Sequence, residues 1–165
     1  MLSPTALSDI RVVDLSRVLA GPFCTMLLAD YGAEVIKVEQ PGAGDPTRAW
    51  GPPWVGGGAD EGGQSAYYLT ANRNKRAMTL DLKSDAGLAV ARRLVATADV
   101  IVENFMPGTL ARAGLDYDTL AGDQPGADFG GRADPCRRGA GLCADAHGAG
   151  FPRPQCRRNH GQGAV

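Results

Sequence analysis

The sequence has no strong charge of either sign: 17 basic and 18 acidic side chains leave a formal net charge of −1. No field of one sign therefore draws the chain to nucleic acid or to an anionic membrane surface. It has no uninterrupted apolar run of about 18 residues, so no membrane-spanning helix is expected. Its N-terminal stretch has no basic region followed by an apolar one, which argues against a secretory leader. There are four cysteines and no CxxC pair, so no common zinc finger is expected; disulfides among Cys136, Cys143 and Cys156 stay open, with a cytoplasmic setting arguing for thiols. The dinucleotide fingerprint GxGxxG does not follow the first predicted strand. The phosphate loop GxxxxGK[ST], the nucleophile elbow GxSxG and the zinc motif HExxH are also missing. What remains is a soluble, cytoplasmic, globular chain of 165 residues, the size of one domain.

The composition breaks near residue 120. Residues 1–120 hold 39 large apolar side chains, whereas residues 121–165 hold four: Phe129, Leu142, Phe151 and Val165. In their place the last segment carries 10 Gly, 8 Ala, 6 Arg and 4 Pro. So little apolar surface cannot offset the entropy of ordering the backbone. Residues 121–165 are therefore expected to be a disordered tail, and 1–120 the folded part. Gly, Ala, Arg and Pro have GC-rich codons, so an out-of-frame reading of a GC-rich gene accounts for the change. A second reading is a zinc-binding tail, from Cys143 with His147, Cys156 with His160, and Cys136 nearby. That spacing fits no common finger, and accidental coding is preferred.

Residues 10–15 form a β-branched run and read as a strand. Phe23, Met26, Leu27 and Tyr31 have helical spacing, with Pro22 in the first turn and Gly32 as the terminator. Residues 35–39 read as a second strand, giving a parallel β–α–β unit. Residues 41–66, rich in Gly and Pro, are expected to be loop, with Gly42-Ala43-Gly44 a flexible part of it. A third strand is predicted at 78–82. Ser84 then caps a helix whose stripe is Leu88, Ala91, Leu94, Val95 and Ala98. Residues 100–102 read as a buried strand, and a short helix runs from near Pro107 through Arg112 to Gly114. Alternating strands and helices predict an α/β fold: a Rossmann-like open parallel sheet with flanking helices.

In such a sheet ligands bind beyond the carboxyl ends of the strands. That places residues 16–22, 39–45 and 103–108 at the site, with helix starts near Gly21 and Gly108 suited to anions. Asp14 at a strand end reads as a turn cap or as a catalytic carboxylate, the cap being the commoner role. Asn72-Arg73-Asn74-Lys75-Arg76 is the sole basic cluster, read either as a solvated hairpin edge or as an anion contact. Cys24 reads as a small core residue.

Several blocks in order resemble one family. They are Val13-Asp14-Leu15-Ser16-Arg17-Val18-Leu19-Ala20-Gly21-Pro22, Gly32-Ala33-Glu34-Val35-Ile36-Lys37-Val38-Glu39, Gly44-Asp45-Pro46-Thr47-Arg48, Asn72-Arg73-Asn74-Lys75-Arg76, Leu80-Asp81-Leu82-Lys83, and Asp99-Val100-Ile101-Val102-Glu103-Asn104-Phe105 with Pro107-Gly108. The chain resembles the N-terminal part of the class III CoA-transferases, which include formyl-CoA and carnitine-CoA transferases and α-methylacyl-CoA racemases. The resemblance implies a CoA-binding domain in residues 1–120, an interlocked homodimer for the full-length protein, and coenzyme A or acyl-CoA with a small carboxylic acid as substrates. It implies no metal, nucleic acid or membrane. By position it assigns CoA contacts to Leu19 and Ala20, to Leu80, Asp81, Leu82 and Lys83, to Asn104, Phe105 and Met106, and to Arg112 as a phosphate contact. Gln40 stands where some members have arginine.

The family's nucleophile is an aspartate, through which CoA passes between two carboxylic acids. That aspartate lies beyond the matching blocks, and Asp123, Asp128, Asp134 and Asp145 belong to none of them. The chain is thus expected to be truncated before the catalytic residue and inactive. The alternatives are a fragment of a racemase-like protein and a CoA-binding module without chemistry.

Overall fold

The computed structural model describes residues 5–116, 119–120 and 128–130. Seven strands form among the described residues, and β-branched side chains, which suit a pleated, covered surface, cluster in the central three of the main sheet. The strands are β1 (Arg11–Asp14), β2 (Glu34–Glu39), β3 (Trp54–Val55), β4 (Gln64–Ser65), β5 (Arg76–Thr79), β6 (Val100–Val102) and β7 (Asp128–Gly130). The helices are α1 (Ala20–Asp30), α2 (Ala66–Asn72), α3 (Asp85–Val95) and α4 (Thr109–Ala113). The main sheet has the order β5-β2-β1-β6-β7 and every pairing in it is parallel. The chain thus starts in the middle, winds outward on one side through β2 and β5, then crosses to β6 and β7. The direction of winding reverses between β1 and β6, so the loops after these two strands diverge and leave a crevice.

Successive side chains of a strand point to opposite faces, and both faces here are covered. Val13 and Leu15 pack with Ile101, Ala91, Val95, Ala98, Leu110 and Leu115 against α3 and α4. Val12 packs with Val35, Val102, Ala29 and Ala33 against α1. Ser84 caps α3 as expected, its hydroxyl accepting the Gly87 N–H at 3.1 Å. Gly32 lies at φ +100°, where a β-carbon would be strained, and there the chain leaves α1.

Several expected boundaries differ. Helix α1 begins at Ala20, with Pro22 inside its first turn, where a missing N–H costs no hydrogen bond. It turns Thr25, Met26 and Ala29 inward and leaves Phe23, Leu27 and Tyr31 exposed. Residues 41–66 are not featureless. They hold 3₁₀ turns at Pro46–Ala49 and Ala59–Glu61 and the antiparallel ribbon β3–β4. Helix α2 follows, capped by the Ser65 hydroxyl on the Tyr68 N–H, and this helix leads directly into β5. Asn74, at φ +61°, turns the chain from α2 into β5, which starts two residues before the predicted strand because Arg76 pairs with Ile36.

The largest difference is β7, which lies within the segment expected to be a disordered tail. Asp128, Phe129 and Gly130 pair with Val100, Ile101 and Val102. Main-chain hydrogen bonds hold an edge strand, and any composition can supply them. The rest of 121–165, with Cys136, Cys143, His147, Cys156 and His160, lies outside the described residues.

Candidate active site

A cleft of about 230 Å³ opens at the carboxyl ends of β1, β2, β5 and β6. Its apolar lining is Leu15, Val38, Leu80, Leu82, Phe105 and Leu110. Arg17, Asp81 and Lys83 add charge, and the guanidinium of Arg17 lies 4.7 Å from the centre of the Phe105 ring. Among the described residues, neither Arg17 nor Lys83 forms an ion pair, so both cations are available to an anion.

Three buried carboxylates each have their own cation, and two of them, Glu39 and Asp45, line the cleft together with Lys37. Asp14 ends β1 and accepts from the Ser16 N–H (2.9 Å), the Ser16 hydroxyl, the Thr25 hydroxyl (2.6 Å) and Lys75 Nζ (3.0 Å). Glu39 ends β2 and takes a two-pronged contact from Arg48, at 2.6 and 2.8 Å, and the Tyr68 hydroxyl at 2.8 Å. Arg48 also stacks 3.9 Å over the Tyr68 ring. Asp45 pairs with Lys37 Nζ at 3.0 Å and accepts the Thr47 N–H and hydroxyl at 2.9 and 2.7 Å.

Burial works to raise the Glu39 and Asp45 carboxyls. Against it, Arg48, Tyr68 and the Asp45 N–H hold Glu39 below the ordinary value, and Thr47 with Lys37 does the same for Asp45. Burial pushes the Lys75 ammonium down to about 8, against the pull of Asp14. Burial likewise raises the Tyr68 hydroxyl, helped by the neighbouring Glu39 carboxylate. Cys24, half-buried in α1, is raised by burial and by Asp14.

These contacts bear on two sequence readings. The basic cluster is not a hairpin edge: it leads from α2 into β5, with Arg73 and Arg76 exposed to solvent and the Lys75 side chain shut in. Arg73 pairs with Asp30, Lys75 with Asp14, and Arg76 with Glu34. Asp14 holds the turn after β1, as a cap does, and is shut off from solvent.

The structure brings Leu80, Asp81, Leu82, Lys83 and Phe105 together in the cleft with Gln40. Leu19, Ala20, Asn104, Met106 and Arg112 lie outside its lining. Leu19 and Met106 are exposed, and Ala20 is the first residue of α1. Arg112 is exposed on α4. Asn104 is engaged by main chain: its oxygen accepts the Arg17 N–H at 2.8 Å, and its nitrogen donates to the Arg17 carbonyl at 2.6 Å. Gly21 permits the loop to fold back, because a β-carbon there would stand 2.3 Å from that of Ser16.

Sequence reasoning missed Lys37, Thr47, Arg48 and Tyr68. Lys37 carried a signal, because a lysine in the middle of an otherwise apolar covered strand demands a buried partner. Tyr68 carried none. Among the described residues, no group of three or more metal-ligand side chains is gathered, and no helix is long and apolar enough to cross a membrane.

Comparison with known proteins gives consistent matches. The sequence profile of CoA-transferase family III matches residues 7–126. A succinate–glutarate CoA-transferase of Agrobacterium fabrum is 56% identical over 114 residues, covering 69% of this chain and 28% of that one. A human succinyl-CoA:glutarate CoA-transferase is 51% identical over 114 residues, covering 69% of this chain and 25% of that one. The chain therefore spans about a quarter of the length of these curated relatives. A crystal structure of a CAIB/BAIF family protein from Brucella suis superposes with a TM-score of 0.72 at 43% identity, covering 78% of this chain and 33% of that one.

Proposed function

The chain belongs to CoA-transferase family III, and on that basis we propose that its cleft binds coenzyme A for transfer of CoA between a thioester and a small carboxylic acid. The observation that carries this is the cleft at the winding reversal, where the Leu80–Lys83 segment and Phe105 meet Arg17, and where Arg17 and Lys83 lie outside any described ion pair. An apolar floor suits the adenine, and Lys83 and Arg17 suit the phosphates. The relatives' activities on succinate and glutarate point to a dicarboxylic acid as acceptor. They also favour transfer over racemisation.

In the proposed reaction an aspartate from beyond the matched region attacks the thioester carbonyl. The acyl group moves to that aspartate as a mixed anhydride, and the CoA thiolate leaves. The thiolate then attacks the aspartyl carbonyl, the donor acid departs, and an aspartyl–CoA thioester remains for the acceptor acid to reverse these steps. The share of this chain is to hold CoA and orient its thiol. Leu19, Ala20, Asn104, Met106 and Arg112 are proposed to meet the CoA arm outside the cleft. A homodimer is proposed for the longer protein.

Calorimetry with CoA and the 165-residue chain tests the reading. Saturable binding, weakened about tenfold by Lys83→Ala, is expected from the loss of one charge-assisted contact. A folded chain that gives no heat with CoA overturns it. Mixing succinyl-CoA and glutarate with this chain is expected to give no exchange. The break in composition supports reading 121–165 as out of frame. Gly122 to Asp128 can be coded so that reading one base later gives Ala-Ile-Asn-Pro-Gly-Leu-Ile; sequencing the gene across codon 121 is expected to show that neighbouring frame, and its absence overturns that proposal.

A further inference from the structure

We propose that the buried Lys37–Asp45 pair is a positioning device that holds Val18 in a left-handed backbone conformation and so fixes the loop after β1 where it forms one wall of the cleft. This rests on the reading of the cleft as a CoA site. Val18 lies at φ +70°. A β-branched residue rarely adopts that conformation, which persists only where surrounding contacts over-determine it.

Those contacts are present. The Val18 N–H donates to the Asp45 carboxylate at 3.2 Å. Asp45 is fixed in turn by Thr47 and by Lys37, and Lys37 also donates to the Ser16 carbonyl at 3.0 Å. Asn104 holds both main-chain groups of Arg17 from the loop after β6. The main chain of residues 16, 17 and 18 is thus pinned by side chains from β2, from the loop after β2 and from the loop after β6. Leu15, Ser16 and Arg17 of that loop line the cleft.

Lys37 and Asp45 are both fully buried. A buried ion pair is a poor way to add stability, since a well-packed apolar pair of the same size serves as well or better. The pair does what an apolar pair cannot: it presents an acceptor to one N–H and a donor to one carbonyl of the same loop.

The test is a double-mutant cycle of Asp45→Asn and Val18→Gly in the 165-residue chain, read by thermal midpoint and by CoA calorimetry. Glycine adopts the left-handed region without strain. D45N alone is expected to weaken CoA binding at least tenfold and to lower the midpoint. In the V18G background the same change should cost at least threefold less affinity and a smaller drop in midpoint. D45N that folds only when combined with V18G counts as the same rescue. Effects that combine independently in both readouts overturn the proposal, as does a D45N chain equally impaired in both backgrounds. If the parent chain melts cooperatively but binds no CoA, the functional reading fails. The midpoints alone then decide the positioning role.

Discussion

Lys75 shows how one side chain can organise the end of a strand. Its ammonium joins Asp14 at the end of β1 to the Pro22 carbonyl of α1 and the Asn72 side chain of α2. Lys75→Met keeps the volume but leaves Asp14 buried without its cation, so a loss of about 3–5 kcal/mol is expected in denaturant unfolding. The same residue sets a pH dependence. With Lys75 near 8 in the fold and at the ordinary 10.5 when unfolded, the unfolded chain binds more protons between those values. Its contribution to stability therefore rises with pH across that window. Glu39 and Asp45 act at the acid end. Their carboxyls lie below their ordinary values in the fold, so their stabilisation is complete above those values and is lost as pH falls through the folded ones. Thermal melts from pH 3 to 6 are expected to show a smaller acid loss for Glu39→Gln than for the parent.

At the scale of elements, β6 and α3 carry the larger core. Ile101 is wholly buried in the middle of the sheet, and Ile101→Ala is expected to cost about 2–5 kcal/mol in unfolding experiments through lost burial and a residual cavity. Ser84→Ala removes the cap of α3 and is expected to cost about 1 kcal/mol by the same measurement. These two elements were legible because β-branched runs and a capping serine are local signals. Helix α2 was not, because its seven residues follow a Gly-rich loop and give no long periodic stretch. Its place comes from contacts distant in sequence: Tyr68 reaches Glu39 across 29 positions, and Lys75 reaches Asp14 across 61.

For the molecule as a whole, the outward face of α1 stands out. Leu19, Phe23, Leu27 and Tyr31 recur every four residues along it and are between 42% and 63% exposed. Such a stripe on a chain spanning about a quarter of its relatives' length favours self-association. Sedimentation of the 165-residue chain is expected to show concentration-dependent association, reduced by Phe23→Lys with Leu27→Lys. A monomer at all concentrations would contradict this.

Val12-Val13, Val35-Ile36 and Val100-Ile101-Val102, with the capped helix between Ser84 and Val95, were enough for the sequence alone to determine a parallel α/β sheet and the edge at which its cleft opens. Apolar period and capping are properties of neighbours in the chain, so they need no knowledge of the fold. Tertiary structure alone decided the fate of the charges. Arg73, Lys75 and Arg76 read as one basic patch in sequence, yet each meets a different carboxylate of the protein itself, while Arg17 and Lys83 stay outside any described ion pair. Which charge is satisfied and which is offered to a ligand depends on partners far apart in the chain, and no local pattern encodes that pairing.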